Sequence, residues 1–284
     1  MKSAAFAYVR PTSVAGVLEH LGSGRDAKIL AGGQSLMPSL NMRLSAPDIL
    51  IDINRVDALR GIDLRDGYIR MGALVRHAEV ASSALVSAHL PLVARAMRHV
   101  AHPAVRNRGT TCGSLANADP AAELPACSVT LDATIVLLSH RGRREVPARE
   151  FFLGLFETAR RDDELLAEVL FPVAGPSERF GFDEVATRHG DFAAVGVAAR
   201  ASLTGARVDA LDLVIFASEV RPLLGVEATE IAVGQSWSPA LIKKVAAATA
   251  AEMQPMDNLQ GRGDTKRRQA RALITRVLQG MMYE

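Results

Sequence analysis

Two stretches of this chain carry the residue types that can cradle an anionic ligand. The first is Ala31-Gly32-Gly33-Gln34-Ser35-Leu36, which follows directly on the apolar run Ile29-Leu30. Consecutive glycines after a strand let the backbone take positive φ and approach a ligand without a Cβ clash. The successive N–H groups freed in such a turn form a concavity that suits a diphosphate. Gln34 and Ser35 add side-chain hydrogen-bonding groups. The spacing is neither GxxxxGK[ST] nor GxGxxG, and Gly33-Gln34-Ser35-Leu36-Met37 lacks the last glycine of a nucleophile elbow. Gly32-Gly33 alone reads more simply as a tight strand-to-helix turn.

The second stretch runs from Arg106 to Pro120 and contains Gly109, Thr110, Thr111, Cys112, Gly113, Ser114, Asn117 and Asp119. It reads as a long loop whose backbone groups need partners if it is to be ordered, and a bound ligand would supply them. A loop filled by its own small side chains is the competing reading. Asp119-Pro120 predicts the N-cap and first position of a helix with Glu123 in its first turn.

Other chemistries find no support. His77-Ala78-Glu79 begins like a zinc deaminase motif, but no Pro-Cys-x-x-Cys follows, so His77 reads as a polar residue at a strand end. His99 and His102 lack the further ligands of a zinc site, and no metal site is expected. Cys112 has no neighbour in sequence that would activate it as a nucleophile. With Cys127 it makes only two cysteines, too few for a disulfide framework or a four-thiolate cluster. Lys266-Arg267-Arg268 with Arg271 and Arg276 reads as a solvated basic helix face. A net charge of +2 and only 5% aromatic residues give no reason to expect nucleic acid as a partner. No apolar window reaches the roughly 18 residues of a membrane span. The apolar patch Ala4–Val9 is too short for a signal sequence, so a cytoplasmic protein is expected.

The 284 residues are enough for one large domain or two ordinary ones. Ser13 or Thr12 predicts the cap of a helix that ends at Gly22, and Asp48–Ile53 reads as a strand. Asp66-Gly67 predicts a hairpin turn into a strand over 68–74. A helix is predicted over 90–100, and a strand over 133–138 that ends in a basic turn at Arg141–Arg144. Phe171–Ser177, with two prolines and a glycine, marks a domain boundary. Strands are predicted over 182–188, 193–203 and 207–216, then a helix capped by Ser238-Pro239 and another capped by Asp264 or Thr265 and stopped by Gly280. The mixture predicts an α+β fold in two parts.

Taken together, AGGQSL and RNRGTTCGSLANADPAAE at this separation resemble the medium, FAD-binding subunit of the molybdenum hydroxylases, the family of xanthine, carbon monoxide, nicotine and caffeine dehydrogenases. The resemblance covers essentially the whole chain. It implies an FAD-binding domain of the vanillyl-alcohol-oxidase (PCMH) type over 1–174, in two subdomains split near residue 58. A smaller α+β flavoprotein domain over 178–284 would follow.

In such proteins the first loop wraps the FAD diphosphate, which assigns Ile29, Leu30, Ala31, Gly32, Gly33, Gln34, Ser35 and Leu36 to that role. The second loop approaches the diphosphate and ribityl chain, which assigns Thr110, Thr111, Cys112, Gly113 and Ser114, with Asn117 and Asp119 following. Glu123 and Leu165 or Leu166 match positions that contact the cofactor. Arg188, Asp191 and Phe192 match a loop beside the isoalloxazine ring, where Phe192 would shield one face. Asp183-Glu184 replaces a lysine that some relatives carry near the flavin. The resemblance also implies a large molybdopterin-binding subunit, a small [2Fe-2S] subunit and a dimer of heterotrimers. This chain would pass electrons from the clusters through FAD to an external acceptor, with no catalytic side chain. A self-sufficient flavin oxidoreductase and a cofactor-free binding or assembly protein are the alternatives.

Overall fold

The computed structural model describes residues 2–283. Ser13 accepts the Gly16 N–H at 3.2 Å and so starts α1 (Val14–Leu21), as its position before an apolar stripe predicts. This helix connects β1 (Ala7–Val9) to β2 (Ala27–Leu30), and α2 (Leu36–Asn41) connects β2 to β3 (Ile49–Asp52). The three strands pair in parallel in the order β1-β3-β2. Every residue of β3 is buried, which is the usual state of a central parallel strand covered on both faces.

The chain leaves this sheet through a 3₁₀ turn at Asp57–Leu59 and enters a second, five-stranded one. There β4 (Ile62–Arg65) and β5 (Tyr68–Gly72) form a hairpin whose Asp66 and Gly67 have φ of 50° and 80°, the conformation that Asp-Gly favours. Six short helices follow: α3 (His77–Ser82), α4 (Ala84–His89), α5 (Pro91–Ala96), α6 (Pro103–Arg106), α7 (Thr111–Asn117) and α8 (Glu123–Thr130). Then come β6 (Thr134–Ser139), β7 (Gly142–Pro147), α9 (Ala148–Phe151), a small hairpin of β8 (Phe152–Gly154) and β9 (Glu157–Thr158), and β10 (Leu165–Pro172). The order β4-β5-β10-β6-β7 places β10 in the middle of the sheet.

Residues beyond 177 build an antiparallel sheet of β11 (Glu178–Ala186), β12 (Ala193–Thr204), β13 (Arg207–Phe216) and β14 (Leu223–Leu224). Three helices follow, α10 (Val226–Ala232), α11 (Pro239–Glu252) and α12 (Gly263–Met281). Side-chain alternation along β12 and β13 gives this sheet two apolar faces. Val195, Val197, Leu213 and Ile215 pack with Ile242, Val245, Leu273 and Ile274 of the helices. Ala198, Val214 and Phe216, with Phe180, join the core of the preceding 170 residues instead. Gly196 leaves the room for Phe216, because a Cβ there would lie 2.1 Å from its ring.

Several elements depart from their sequence expectations. The helix expected over 90–100 stops at Ala96. The basic turn is His140-Arg141, and Arg143 and Arg144 lie inside β7. Strand β10 runs through Pro172, so the boundary begins later than Phe171. Arg262 caps α12, which continues past Gly280 to Met281. Lys266 is not part of a solvated face: it is fully buried, and its Nζ donates to the Ala217 carbonyl at 3.5 Å. It lies in phase with the inward stripe of Gly263, Ala270, Leu273, Ile274 and Val277, and helical phase decides burial more strongly than membership of a charge run. Burial lowers its pKa, and nearby Asp257 opposes that shift.

Candidate functional site

The turn after β2 takes the shape that its glycines allow. Gly33 has φ of +73°, and the Gly33 carbonyl accepts the Met37 N–H at 3.0 Å to begin α2. Among the described residues, the N–H groups of Gly32, Gly33, Gln34, Ser35 and Leu36 donate to no protein atom. A Cβ at Gly33 would meet Leu30 Cδ1 at 3.0 Å and Met37 Cγ at 3.2 Å, so what requires glycine there is conformation rather than open space. Gly32 is required for another reason. A Cβ on it would lie 2.4 Å from the Arg108 carbonyl oxygen and 2.8 Å from Gly109 Cα, so the two glycine-bearing stretches touch backbone to backbone.

The second stretch is mostly helical, not a long loop. Only Asn107–Thr110 and Ala118–Ala122 lie outside α6, α7 and α8. Thr110 caps α7 by accepting the Gly113 N–H at 3.1 Å, and a Cβ at Gly113 would sit 2.6 Å from that hydroxyl oxygen. The small polar residues that look like loop therefore make a tightly capped helical turn. Its start is pinned from outside, with Thr111 N–H donating to Val75 O at 3.2 Å and His77 N–H to Gly109 O at 3.0 Å. The N–H of Cys112 stays without a protein partner among the described residues, as does the buried Thr111 hydroxyl oxygen.

Cys112 itself is buried, and burial pushes its thiol pKa far up, in keeping with a packing role. His77 is the first residue of α3 rather than a strand end, and it is 6% exposed. Burial first, then the Arg106 and Arg76 cations, lower its pKa to about 4. Asp119 accepts the Ala121 N–H at 2.9 Å in a turn and does not cap the next helix, whose N-cap position is Ala122 with no side-chain cap.

The third segment, Arg188–Phe192, turns through Gly190 at φ +86° against the beginning of α6. A Cβ at Gly190 would lie 2.9 Å from His102 Cε1 and 3.1 Å from the Ala101 carbonyl. Arg188 pairs with Asp191 at 3.2 Å, and the Phe192 side chain is 56% exposed. The first and third segments thus abut opposite ends of the stretch from Ala101 to Gly109, in which the second begins.

Glu123 opens α8 and is 7% exposed. Burial raises its carboxyl pKa to about 8, and the Glu184 and Asp119 carboxylates add to that shift. Glu184 meets His99 Nδ1 at 3.4 Å, and that contact raises the pKa of His99. Asp183 pairs with Arg276 at 2.5 Å, whereas Glu184 Oε2 is buried without a hydrogen-bond partner. Leu165 and Leu166 are core residues of β10, opposite Leu138 and Leu137 of β6. Both side chains are buried in the core.

The structure also brings in two residues that no motif marks. Asn54, two residues beyond β3, donates from Nδ2 to Ala31 O at 2.9 Å and to Asp52 Oδ1 at 2.7 Å. Its Oδ1 accepts from Arg76 Nη2 at 2.5 Å, and Arg76 Nη1 donates to the Arg108 carbonyl. The only sequence signal for either is a polar residue just past a buried strand. Burial, then the cations of Arg60 and Arg108, lower the pKa of Arg76.

Residues 4–174 match the family described as the FAD binding domain in molybdopterin dehydrogenase, and residues 180–281 match the CO dehydrogenase flavoprotein C-terminal domain. The chain is 37% identical over 280 residues to the 6-hydroxypseudooxynicotine dehydrogenase complex subunit alpha of Paenarthrobacter nicotinovorans, covering 98% of this chain and 95% of that one. It is 34% identical to the carbon monoxide dehydrogenase medium chain of Hydrogenophaga pseudoflava, covering 96% of each. A solved structure of carbon monoxide dehydrogenase from that organism, lacking the Mo-pyranopterin moiety, superposes with a TM-score of 0.95 at 34% identity, over 100% of this chain and 99% of that one.

Proposed function

The chain belongs to the FAD-binding medium subunits of the molybdenum hydroxylases, and from that premise we propose that the glycine turns around Gly32 and Gly109 hold the FAD diphosphate. The observation that carries this assignment is the row of N–H groups from Gly32 to Leu36 without protein acceptors, placed against Gly109. Backbone donors near protein rarely stay unpaired, and an anion would satisfy several at once. The cations of Arg60 and Arg108, which disfavour the charge on Arg76, fit the same ligand, because a diphosphate would offset them.

In this reading Ala31–Leu36 surround the diphosphate. Thr110, Thr111, Gly113 and Ser114, with the free N–H of Cys112, continue toward the ribityl chain. Leu165 or Leu166 contacts the cofactor from β10 in the same reading. Arg188, Asp191 and Phe192 stand beside the ring, where an exposed aromatic face can stack. Glu123 forms the buried acidic wall. FAD, when bound, supplies the redox chemistry, taking electrons from iron–sulfur clusters on a partner and giving them to an external acceptor. This chain binds the cofactor, orients it and sets its electrostatic surroundings, and no side chain needs to act as acid or base.

We further propose a small [2Fe-2S] partner and a large molybdopterin-binding partner, assembled as a dimer of heterotrimers. The division into domains 1–174 and 178–284 belongs to the same reading, with the first split near residue 58, where the 3₁₀ turn separates two sheets. No helix among the described residues is long and apolar enough to cross a membrane. The two buried free thiols suit a reducing, cytoplasmic setting. The test is the visible spectrum of the purified chain. A flavin spectrum is expected, and acid precipitation should release the colour into the supernatant. Absence of FAD, or colour retained in the pellet as a covalent adduct, would overturn this reading.

A further inference from the structure

The contact between the two glycine turns raises the question of what holds them in register. The turns come from distant parts of the chain, and van der Waals contact at Gly32 resists compression but does not fix orientation. We propose that Asn54 and Arg76 form a polar strut that sets the spacing and facing of the two turns, and that both are positioning residues for the cofactor's diphosphate. The proposal rests on the FAD reading above.

The strut is continuous. Asp52 Oδ1 accepts from the Asn54 N–H at 2.9 Å and from its Nδ2 at 2.7 Å, which fixes the orientation of the amide. That amide holds the carbonyl of Ala31 at one side and the Arg76 guanidinium at the other. The guanidinium in turn holds the carbonyl of Arg108. Both ends of the connection are anchored. Tyr8 donates to Asp52 Oδ2 at 2.5 Å, Arg60 donates to Asn54 O at 2.7 Å, and the Arg76 N–H donates to Glu79 Oε2 at 2.7 Å.

The two carbonyls grasped by the strut each immediately precede a glycine, Gly32 and Gly109. In a trans peptide the C=O and the following N–H point opposite ways. Holding Ala31 O toward Asn54 therefore turns the Gly32 N–H away from the strut, with no protein acceptor in reach. Holding Arg108 O keeps the second turn against Gly32 at a distance that admits no Cβ. An arginine suits the task because one planar fork serves two acceptors with fixed geometry, which an ammonium on a flexible stem does not.

The test uses the full chain freed of flavin, with FAD and ADP as probes in fluorescence and calorimetric titrations. Arg76→Lys keeps the charge and loses the fork, and Asn54→Ala removes the centre of the strut. Each is expected to raise the FAD dissociation constant at least tenfold and that of ADP by a similar factor. The double variant should be no worse than the weaker single, because the pair acts as one unit. The visible circular dichroism of flavin at saturation should change, a readout that a mere loss of fold stability would not move. Wild-type affinities in both single variants would overturn the strut, as would a loss accounted for by the unfolded fraction at the assay temperature. A wild-type chain that binds neither FAD nor ADP overturns the cofactor reading itself, a result distinct from the other two.

Discussion

Gly32 and Arg108 meet backbone to backbone, so closely that a methyl group on Gly32 would fall 2.4 Å from the Arg108 carbonyl oxygen. Neither side of this contact has a flexible side chain that could yield. Gly32→Ala should therefore force the turns apart, costing about 1–3 kcal/mol of stability and most of the bound FAD. Gly24→Ala is the control. Its φ is +74° with nothing within 4 Å, so it carries a conformational penalty that Gly32 does not, but no collision, and should keep its flavin. Thermal unfolding and the flavin-to-protein absorbance ratio would check both, and full flavin retention by Gly32→Ala would refute the argument.

Gly33→Val should also abolish FAD retention while largely preserving the fold, here through φ of +73° and crowding against Leu30 and Met37. Stoichiometric flavin in this variant would mean that the turn tolerates rearrangement, and the assignment of its N–H groups would fall.

Stability should be level from about pH 4.3 to 6.5, where two buried groups oppose each other, and should fall from there toward pH 8. Glu123 titrates in the fold at about 8, above an exposed glutamate. The native state keeps a proton that the unfolded chain releases, so stability falls as pH rises from about 4.3 toward 8. His77 titrates at about 4, so the native state refuses a proton that the unfolded chain takes up, and stability falls as pH drops from about 6.5 to 4. Glu123→Gln should flatten the decline above about pH 6.5 and expose the His77 dependence below it, so that stability then rises from about pH 4 to 6.5. Melting temperatures from pH 4 to 9 would show it, and an unchanged alkaline slope would count against the buried carboxyl as its source.

Electron transfer offers the broadest test. Purified chain mixed with a candidate organic substrate should show no bleaching of the flavin band, while the reconstituted three-subunit complex should. Phe192 is 56% exposed, so Phe192→Ala should change stability by less than about 0.5 kcal/mol yet slow flavin reduction in the complex. Stopped-flow absorbance would measure both. Rapid bleaching by the chain alone would favour a self-sufficient flavoenzyme.

Local chemistry was readable wherever one residue type has one strong preference. Gly32-Gly33 after an apolar run, Asp66-Gly67 between strands and Ser238-Pro239 before a helix all do in the fold what those residues do alone. Thr111–Asn117 misled because glycine and hydroxyl residues favour loops unless a cap overrides them, and the cap is a contact between Thr110 and Gly113. Lys266 misled because a charge run was weighed without its helical phase. Asn54 and Arg76 lay beyond reach altogether. Their partners are 22 and 32 residues away, and no periodicity links a side-chain amide to the carbonyl of a distant turn.

Phe180, Ala198, Val214 and Phe216 belong by sequence to the C-terminal part and by packing to the core of the N-terminal one. Two lengths of chain that match separate families share one core, so a single calorimetric transition is the expected form of unfolding. The consequence reaches the gene. A recombination joint at Pro172–Ser177 would bring together halves of one interior that had not been selected together, leaving cavities or overlaps where Phe216 now fits Gly196. Heredity should therefore move these two segments as a pair.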